Sequence, residues 1–410
     1  MKINWNTYLN PGRSSERADR RPCGEVRPIC AECASLRSAY RKWKNEAALL
    51  EPPRVSGPAA IEPAPLESLP LYPVVILGSG VSGLMAATYL GQAGYAPLVL
   101  EGPNPGGAIM QSDHVRNWPG VLDIKGAELI ENMHRQAETS GARFEMNRVI
   151  AVDDSKRPLV LTVEDLFGGI QKIRTHSLVV AMGTTPNFLG VPGEETYWTK
   201  GVYNCALCDG PLYKGKSVAV VGGANSAIVE ALYLSHIAEK VTILMRGAEL
   251  KSLDEAMKKE LLSRPNVEIR ALTTVESLEG DEESLTHVNI KTVGGTERLK
   301  IDALFLAIGS TPNTKLFKDQ LALDERGYLI TNPNKETSAK GIFAIGDITP
   351  TKCKQAVCAA GDAAEASIYI SQYLAEINHY TQRGSKFGNL AKPAPGIFIR
   401  PQAGARGGPY

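Results

Sequence analysis

The stretch "VVILGSGVSGLMAATYL", Val74–Leu90, constrains this chain more than any other. An apolar run meets a glycine turn, a helix-period segment follows, and a second apolar run ends at Glu101. That succession is a β-α-β unit. Its glycines, Gly78, Gly80 and Gly83, match G-x-G-x-x-G directly after a strand. The first makes the tight turn, the second lets backbone approach a pyrophosphate, and the third lets helix and strand pack closely. The anion would rest at the helix N-terminus, where unpaired N–H groups favour negative charge. Glu101 lies 23 residues after Gly78, where a carboxylate can accept hydrogen bonds from ribose hydroxyls. A second unit, "KSVAVVGGANSAIVEALYLSHIAEKVTILMR", runs from Lys216 to Arg246. Two such units predict an α/β protein with two doubly wound nucleotide-binding domains, each with its own crevice.

The chain has 410 residues, room for two or three domains, and 43% hydrophobic content, enough for more than one core. Residues 52–70 hold six prolines in nineteen positions, which reads as an extended linker. We therefore expect a basic, Pro-rich extension over 1–70, a first nucleotide-binding domain in two parts at 71–190 and 309–380, a second nucleotide-binding domain at 191–308, and a flexible basic tail at 381–410. Strands are expected at "HVNIKTV" and "DALFLAIG", and strand, turn and long helix in "KGIFAIGDITPTKCKQAVCAAGDAAEASIYISQYLAE". The Gly- and Pro-rich end from Asn378 is expected to be disordered unless it docks on something. Net charge is +1, yet residues 1–54 carry eleven Lys/Arg against six Asp/Glu, and 381–410 carry five and no acid. Such tails are solvated, or dock on an acidic partner. No window approaches a membrane span, and the first thirty residues lack the apolar core of a secretory signal, so a cytoplasmic protein is expected, with organellar targeting left open. Neither a membrane nor a nucleic-acid partner is expected.

Two further stretches favour FAD in the first crevice. "GPNPGGAIM" places Gly106 and Gly107 just past Glu101, suited to backbone wrapping closely round a flat ligand. "GIFAIGDI" places Gly346 and Asp347 at a strand end, where the carboxylate can hold the ribityl chain. With "PGEETYW", "CALCDG" and the second β-α-β unit in this order, residues 72–376 resemble the low-molecular-weight thioredoxin reductase family. The resemblance implies an FAD enzyme, usually a homodimer, whose inserted pyridine-nucleotide domain carries a redox disulfide and rotates between two orientations. Carried over by position, Gly78, Gly80, Gly83, Glu101, Gly107, Asn117, Asp347, Lys354, Gln355 and Ala356 would contact FAD. Lys354 replaces an Arg and Ala108 a Gln of most members.

Cys205 and Cys208, read alone, suit redox chemistry or a metal equally. In the family they form the redox disulfide, Cys208 being nearer the flavin. A reduced flavin passes two electrons to such a pair, after which one thiolate attacks a substrate disulfide and the other resolves it. A turn entering a helix would also lower a thiol pKa. Asp209 is the candidate acid/base, or a helix cap.

In the second unit, "VAVVGGANSAIVEAL", Gly222 and Ala227 match G-x-G-x-x-A, but Ala224 replaces the second glycine. A methyl there obstructs a pyrophosphate. Gly222, Asn225, Ser226 and Arg246 remain to contact NADPH, while Met245 and Gly247 stand where the family usually has arginines. The expected substrate is a thioredoxin-like protein or a small disulfide. The donor is NADPH or, because basic tails attract acidic proteins, a ferredoxin; an FAD-dependent dithiol oxidase using oxygen is a further alternative. Among the other cysteines, Cys23, Cys30 and Cys33 fall short of the four ligands of a structural zinc, and no metal is expected. Cys353 and Cys358 flank the FAD segment, with apolar packing expected for Cys358.

Overall fold

The computed structural model describes residues 65–384 apart from positions 253 and 352. The first unit forms β1 (Leu71–Leu77), α1 (Val81–Gln92) and β2 (Leu98–Leu100), continued by α2 (Gly126–Thr139) and β3 (Arg143–Glu145). Next come β4 (Arg148–Asp153), β5 (Leu159–Glu164) and β6 (Ile170–Val180). They make one sheet in the order β3-β2-β1-β6-β5-β4, in which β1 runs parallel to both β2 and β6. The far edge of β6 is divided: Ile170–Thr175 pairs antiparallel with β5, whereas Leu178–Val180 pairs parallel with Ile342–Ala344, from far down the chain. The first sheet is thus built from two chain segments. Val74, Val75 and Ile76 are completely buried, as a parallel strand covered on both faces requires.

Between those segments the chain forms β7 (Thr184–Pro186), α3 (Glu194–Tyr197), β8 (Val202–Tyr203), α4 (Ala206–Asp209), β9 (Ser217–Val221), α5 (Asn225–Ser235), β10 (Lys240–Leu244) and α6 (Glu255–Leu262). There follow β11 (Val267–Arg270), β12 (Thr274–Gly280), β13 (Leu285–Thr292), β14 (Gly295–Lys300), β15 (Ala303–Leu306) and β16 (Ser310–Pro312). The second sheet is parallel throughout, ordered β11-β10-β9-β15-β8. Helix α5 packs on one face through Ile228, Ala231 and Leu234. The antiparallel meander β12-β13-β14 covers the other through Leu278, Val288 and Ile290. The outgoing and returning connections meet as an antiparallel ribbon, β7 with β16, in which Thr184 faces Pro312 and Pro186 faces Ser310.

The chain closes with β17 (Ile342–Ala344) and α7 (Ala356–Gly384). Ala363, Ala366, Ile370 and Leu374, spaced three to four apart, face the core shared with α1. Because α7 continues to Gly384, the disordered end expected from Asn378 does not hold for its first residues; Leu374 and Ile377, packed on the core, anchor the helix up to that point. Residues 1–64, with Cys23, Cys30 and Cys33, and residues 385–410 lie outside the described residues. Among the described residues no helix is long and apolar enough to cross a membrane, and no cluster of three or more His, Cys, Asp or Glu could hold a metal ion.

Candidate functional site

The cysteine turn rests on α5. Cys205 caps α4, and its Sγ accepts a hydrogen bond from Cys208 N–H at 3.2 Å. Cys205 and Cys208 are joined as a disulfide, their Cα atoms 5.3 Å apart. Gly210 allows the turn to sit down, since a Cβ there would lie 2.9 Å from Leu234 Cδ2. The expected lowering of a thiol pKa by a helix terminus is not carried by this geometry, because α4 is four residues long and a single turn has little macrodipole.

Two half-buried acids lie at the turn. Burial first, and then the Asp113 carboxylate, push Asp209 up to about 6, with His114 opposing. It therefore changes charge close to neutral pH, and its side chain makes no capping hydrogen bond. Glu230 on α5 was not singled out by the sequence. Burial pushes it up to about 7, while the Ala206 N–H in the middle of the cysteine turn bonds to it and opposes the shift. Its Oε2 is buried without a hydrogen-bond partner. An acid inside an apolar helix, about two turns past the glycines, was the available signal.

On the opposite side stands the loop before α7. Gln355 Nε2 lies 3.7 Å from Cys205 Sγ, and its Oε1 lies 3.9 Å from Cys208 Sγ and accepts from Asn117 Nδ2 at 3.1 Å. Thus Cys205, Cys208, Asn117 and Gln355, distant in sequence, come together. Trp198 Nε1 donates to Gln111 Oε1 at 2.7 Å, a further contact that the sequence did not indicate. Lys354 Nζ donates to the Asp347 carbonyl at 3.1 Å and lies 4.3 Å from the centroid of the Tyr328 ring.

The first crevice fits a dinucleotide. Gly78 has φ 99°, and a Cβ there would lie 2.6 Å from the Ala181 carbonyl oxygen. A Cβ at Gly83 would lie 1.9 Å from the Gly78 oxygen. Gly80 and Gly107 face each other so closely that a Cβ on Gly107 would meet Gly80 Cα at 3.2 Å, leaving bare backbone for a ligand. Ser79 Oγ accepts from Gly106 N at 3.0 Å, fixing the glycine pair beside the turn. Glu101 follows β2 with its carboxylate 3.9 Å from His134 Nε2. Gly346 N donates to Asp362 at 2.7 Å. Next to it, Asp347 Oδ1 is buried with no partner, and burial raises the carboxyl pKa against the opposing charge of Lys354. A buried orphan acceptor is costly unless something bonds to it, as a ribityl hydroxyl would. Ala356 begins α7 beside Gln355.

The second crevice keeps the turn. Gly222 has φ 146°, and its Cβ would lie 2.6 Å from the Ala307 oxygen. Ala224 caps α5 in extended backbone, φ −109° and ψ −176°, so the alanine strains nothing in the chain. Asn225 Oδ1 is buried and unpartnered, Ser226 is exposed, and Arg246 is exposed in the loop after β10. Cys358 does not pack as an apolar thiol: it is half-buried and bonded to Cys353, the two Cα atoms 6.2 Å apart. The five-residue separation across a loop lets the ends meet, which its position at the start of a helix concealed.

Residues 72–363 match the pyridine nucleotide-disulphide oxidoreductase family. A thioredoxin reductase of Coxiella burnetii is 38% identical over 318 residues, spanning 75% of this chain and 98% of that protein. One from Pneumocystis carinii is 40% identical over 315 residues, spanning 74% and 96%. The solved thioredoxin reductase of Giardia duodenalis superposes with a TM-score of 0.70 at 34% identity, covering 75% of this chain and 99% of that one. With a glycine cradle, an orphaned Asp347 and a disulfide set against Gln355, the chain belongs to the low-molecular-weight thioredoxin reductases and is an FAD-dependent thiol-disulfide oxidoreductase.

Proposed function

We propose that this enzyme reduces the disulfide of a thioredoxin-like protein, with Cys205 and Cys208 as the exchanging pair. The observation that carries this is the pair itself, closed and held within 3.7 to 3.9 Å of Gln355, with Cys208 exposed. Gly78, Gly80, Gly83, Glu101, Gly107, Asn117, Gly346, Asp347, Lys354, Gln355 and Ala356 would hold FAD, and bound FAD supplies a two-electron relay. Asp209 would hand a proton to the departing thiolate, suited to this by a pKa near the working pH. Residues 71–190 with 309–380 would form one body and 191–308 another, turning on the β7/β16 ribbon. A homodimer in the cytoplasm is the expected assembly and place.

NADPH would reach the second crevice through Gly222, Asn225, Ser226 and Arg246, supported by the unpartnered Asn225 Oδ1 at the start of α5. A second reading, an acidic ferredoxin as donor, is favoured by Ala224 and by Met245 and Gly247 standing where arginines are expected. One experiment separates them: titrate the anaerobic holoenzyme with NADPH, NADH and reduced ferredoxin while following flavin absorbance. Bleaching by NADPH at ordinary concentrations removes the ferredoxin reading; bleaching by ferredoxin alone establishes it. Oxygen consumption with a small dithiol and no nicotinamide would point instead to an oxidase. If Cys208→Ser retained disulfide turnover, the assignment of the pair would fail.

A further inference from the structure

The second disulfide, Cys353–Cys358, encloses Lys354, Gln355, Ala356 and Val357. Three of these four are the residues that would contact FAD, and one of them, Gln355, also touches the first disulfide. Asn117 holds Gln355 from one side, and Gln355 Nε2 bonds back to the Lys354 carbonyl at 3.1 Å. The loop is therefore the mount on which Gln355 stands, and the disulfide ties it to the first turn of α7. A ring closed over so few residues lies at the low end of what a disulfide adds through chain entropy, so stability alone does not account for a bond placed around Gln355. Its surroundings suit exchange instead. Cys353 is exposed and open to attack, whereas Cys358 is half-buried in the first turn of a 29-residue helix, whose N-terminus stabilises a departing thiolate.

We propose that Cys353–Cys358 is a second thiol–disulfide exchange site, opened by dithiols of the class this enzyme generates, and that its closure holds Gln355 in place. This goes beyond the reductase reading, which uses Cys205 and Cys208 alone. A thiolate of the incoming dithiol attacks Cys353 Sγ; the Cys353–Cys358 bond breaks and Cys358 leaves as a thiolate that takes up a proton. The second thiol of the reagent then attacks the mixed disulfide, freeing Cys353 and departing as a disulfide. The protein gains two electrons and two protons, and the dithiol loses both.

The test uses the full-length holoprotein carrying Cys205→Ser and Cys208→Ser, so that only the second pair can answer. It is equilibrated anaerobically across ratios of reduced to oxidised dithiothreitol, trapped with iodoacetamide and mapped by peptide mass. Cys353 and Cys358 are expected to pass together from unlabelled to labelled while the protein stays folded. On opening, FAD dissociation is expected to quicken about fivefold, the equivalent of one lost hydrogen bond. Cys353→Ser with Cys358→Ser in the otherwise unaltered enzyme should reproduce the faster dissociation. The proposal is overturned if both cysteines stay unlabelled at every ratio, if they are labelled without any reductant, or if opening leaves FAD dissociation unchanged.

Discussion

At the first turn Gly80 caps α1 opposite Gly107, while at the second Ala224 caps α5. Around both the same internal demands recur: Gly78 is pressed on the Ala181 carbonyl and Gly222 on that of Ala307, each at a positive φ that a side chain resists. These positions are dictated by the chain. The middle position is different, for at Gly80 a Cβ would meet nothing nearer than 3.9 Å, and Ala224 shows extended backbone. What asks for glycine there is the ligand. A nucleotide-binding unit can therefore lose affinity without losing its fold.

The largest effect is expected where the fold makes the demand. Gly83→Ala drives a methyl into the Gly78 carbonyl and should cost about 3 kcal/mol, read as a fall in denaturant midpoint. Its counterpart Ala227→Gly leaves room and should cost about 1 kcal/mol; equal costs would break the comparison. Next comes the half-buried acid Glu230 on α5, which has no counterpart in α1. Glu230, ordinarily near 4.5 and raised to about 7, binds more protons folded than unfolded between those values. Its contribution is full below pH 4.5 and lost as pH rises through 7, amounting to about 3 kcal/mol over that span. Glu230→Gln should flatten this slope in thermal melts from pH 5 to 8. A smaller effect is expected at Gly80→Ala, which gives the first turn the chemistry of the second: FAD affinity should fall about tenfold with stability nearly unchanged. The smallest is the reverse exchange. Ala224→Gly combined with Gly247→Arg should tighten NADPH by about threefold to tenfold in fluorescence titration, since one steric relief and one exposed charge each add little. No gain would show that the turn is not what limits the donor.

Much of this was legible in the sequence because it is local. Glycine spacing, apolar runs and the acid at a strand end each lie within one β-α-β unit, and the order of motifs exposed the insertion. The Cys353–Cys358 bond was not legible, since residue type alone does not say whether a loop brings two thiols together. Glu230 escaped for a related reason: in an apolar helix it reads as a solvent-facing residue until the Ala206 N–H is seen above it. The contact of Gln355 with both sulfurs of the first disulfide joins positions about 150 apart, and no periodicity reports such a pairing.

The β7/β16 ribbon has a topological consequence. Thr184 and Pro312 are paired across it, so everything between them enters and leaves through neighbouring points about 5 Å apart. A segment anchored in this way can be excised and the scar sealed by a short linker, or transplanted whole into another host loop. For this chain the gene fragment encoding the sulfur-bearing sheet is, in spatial terms, a cassette on a single stem.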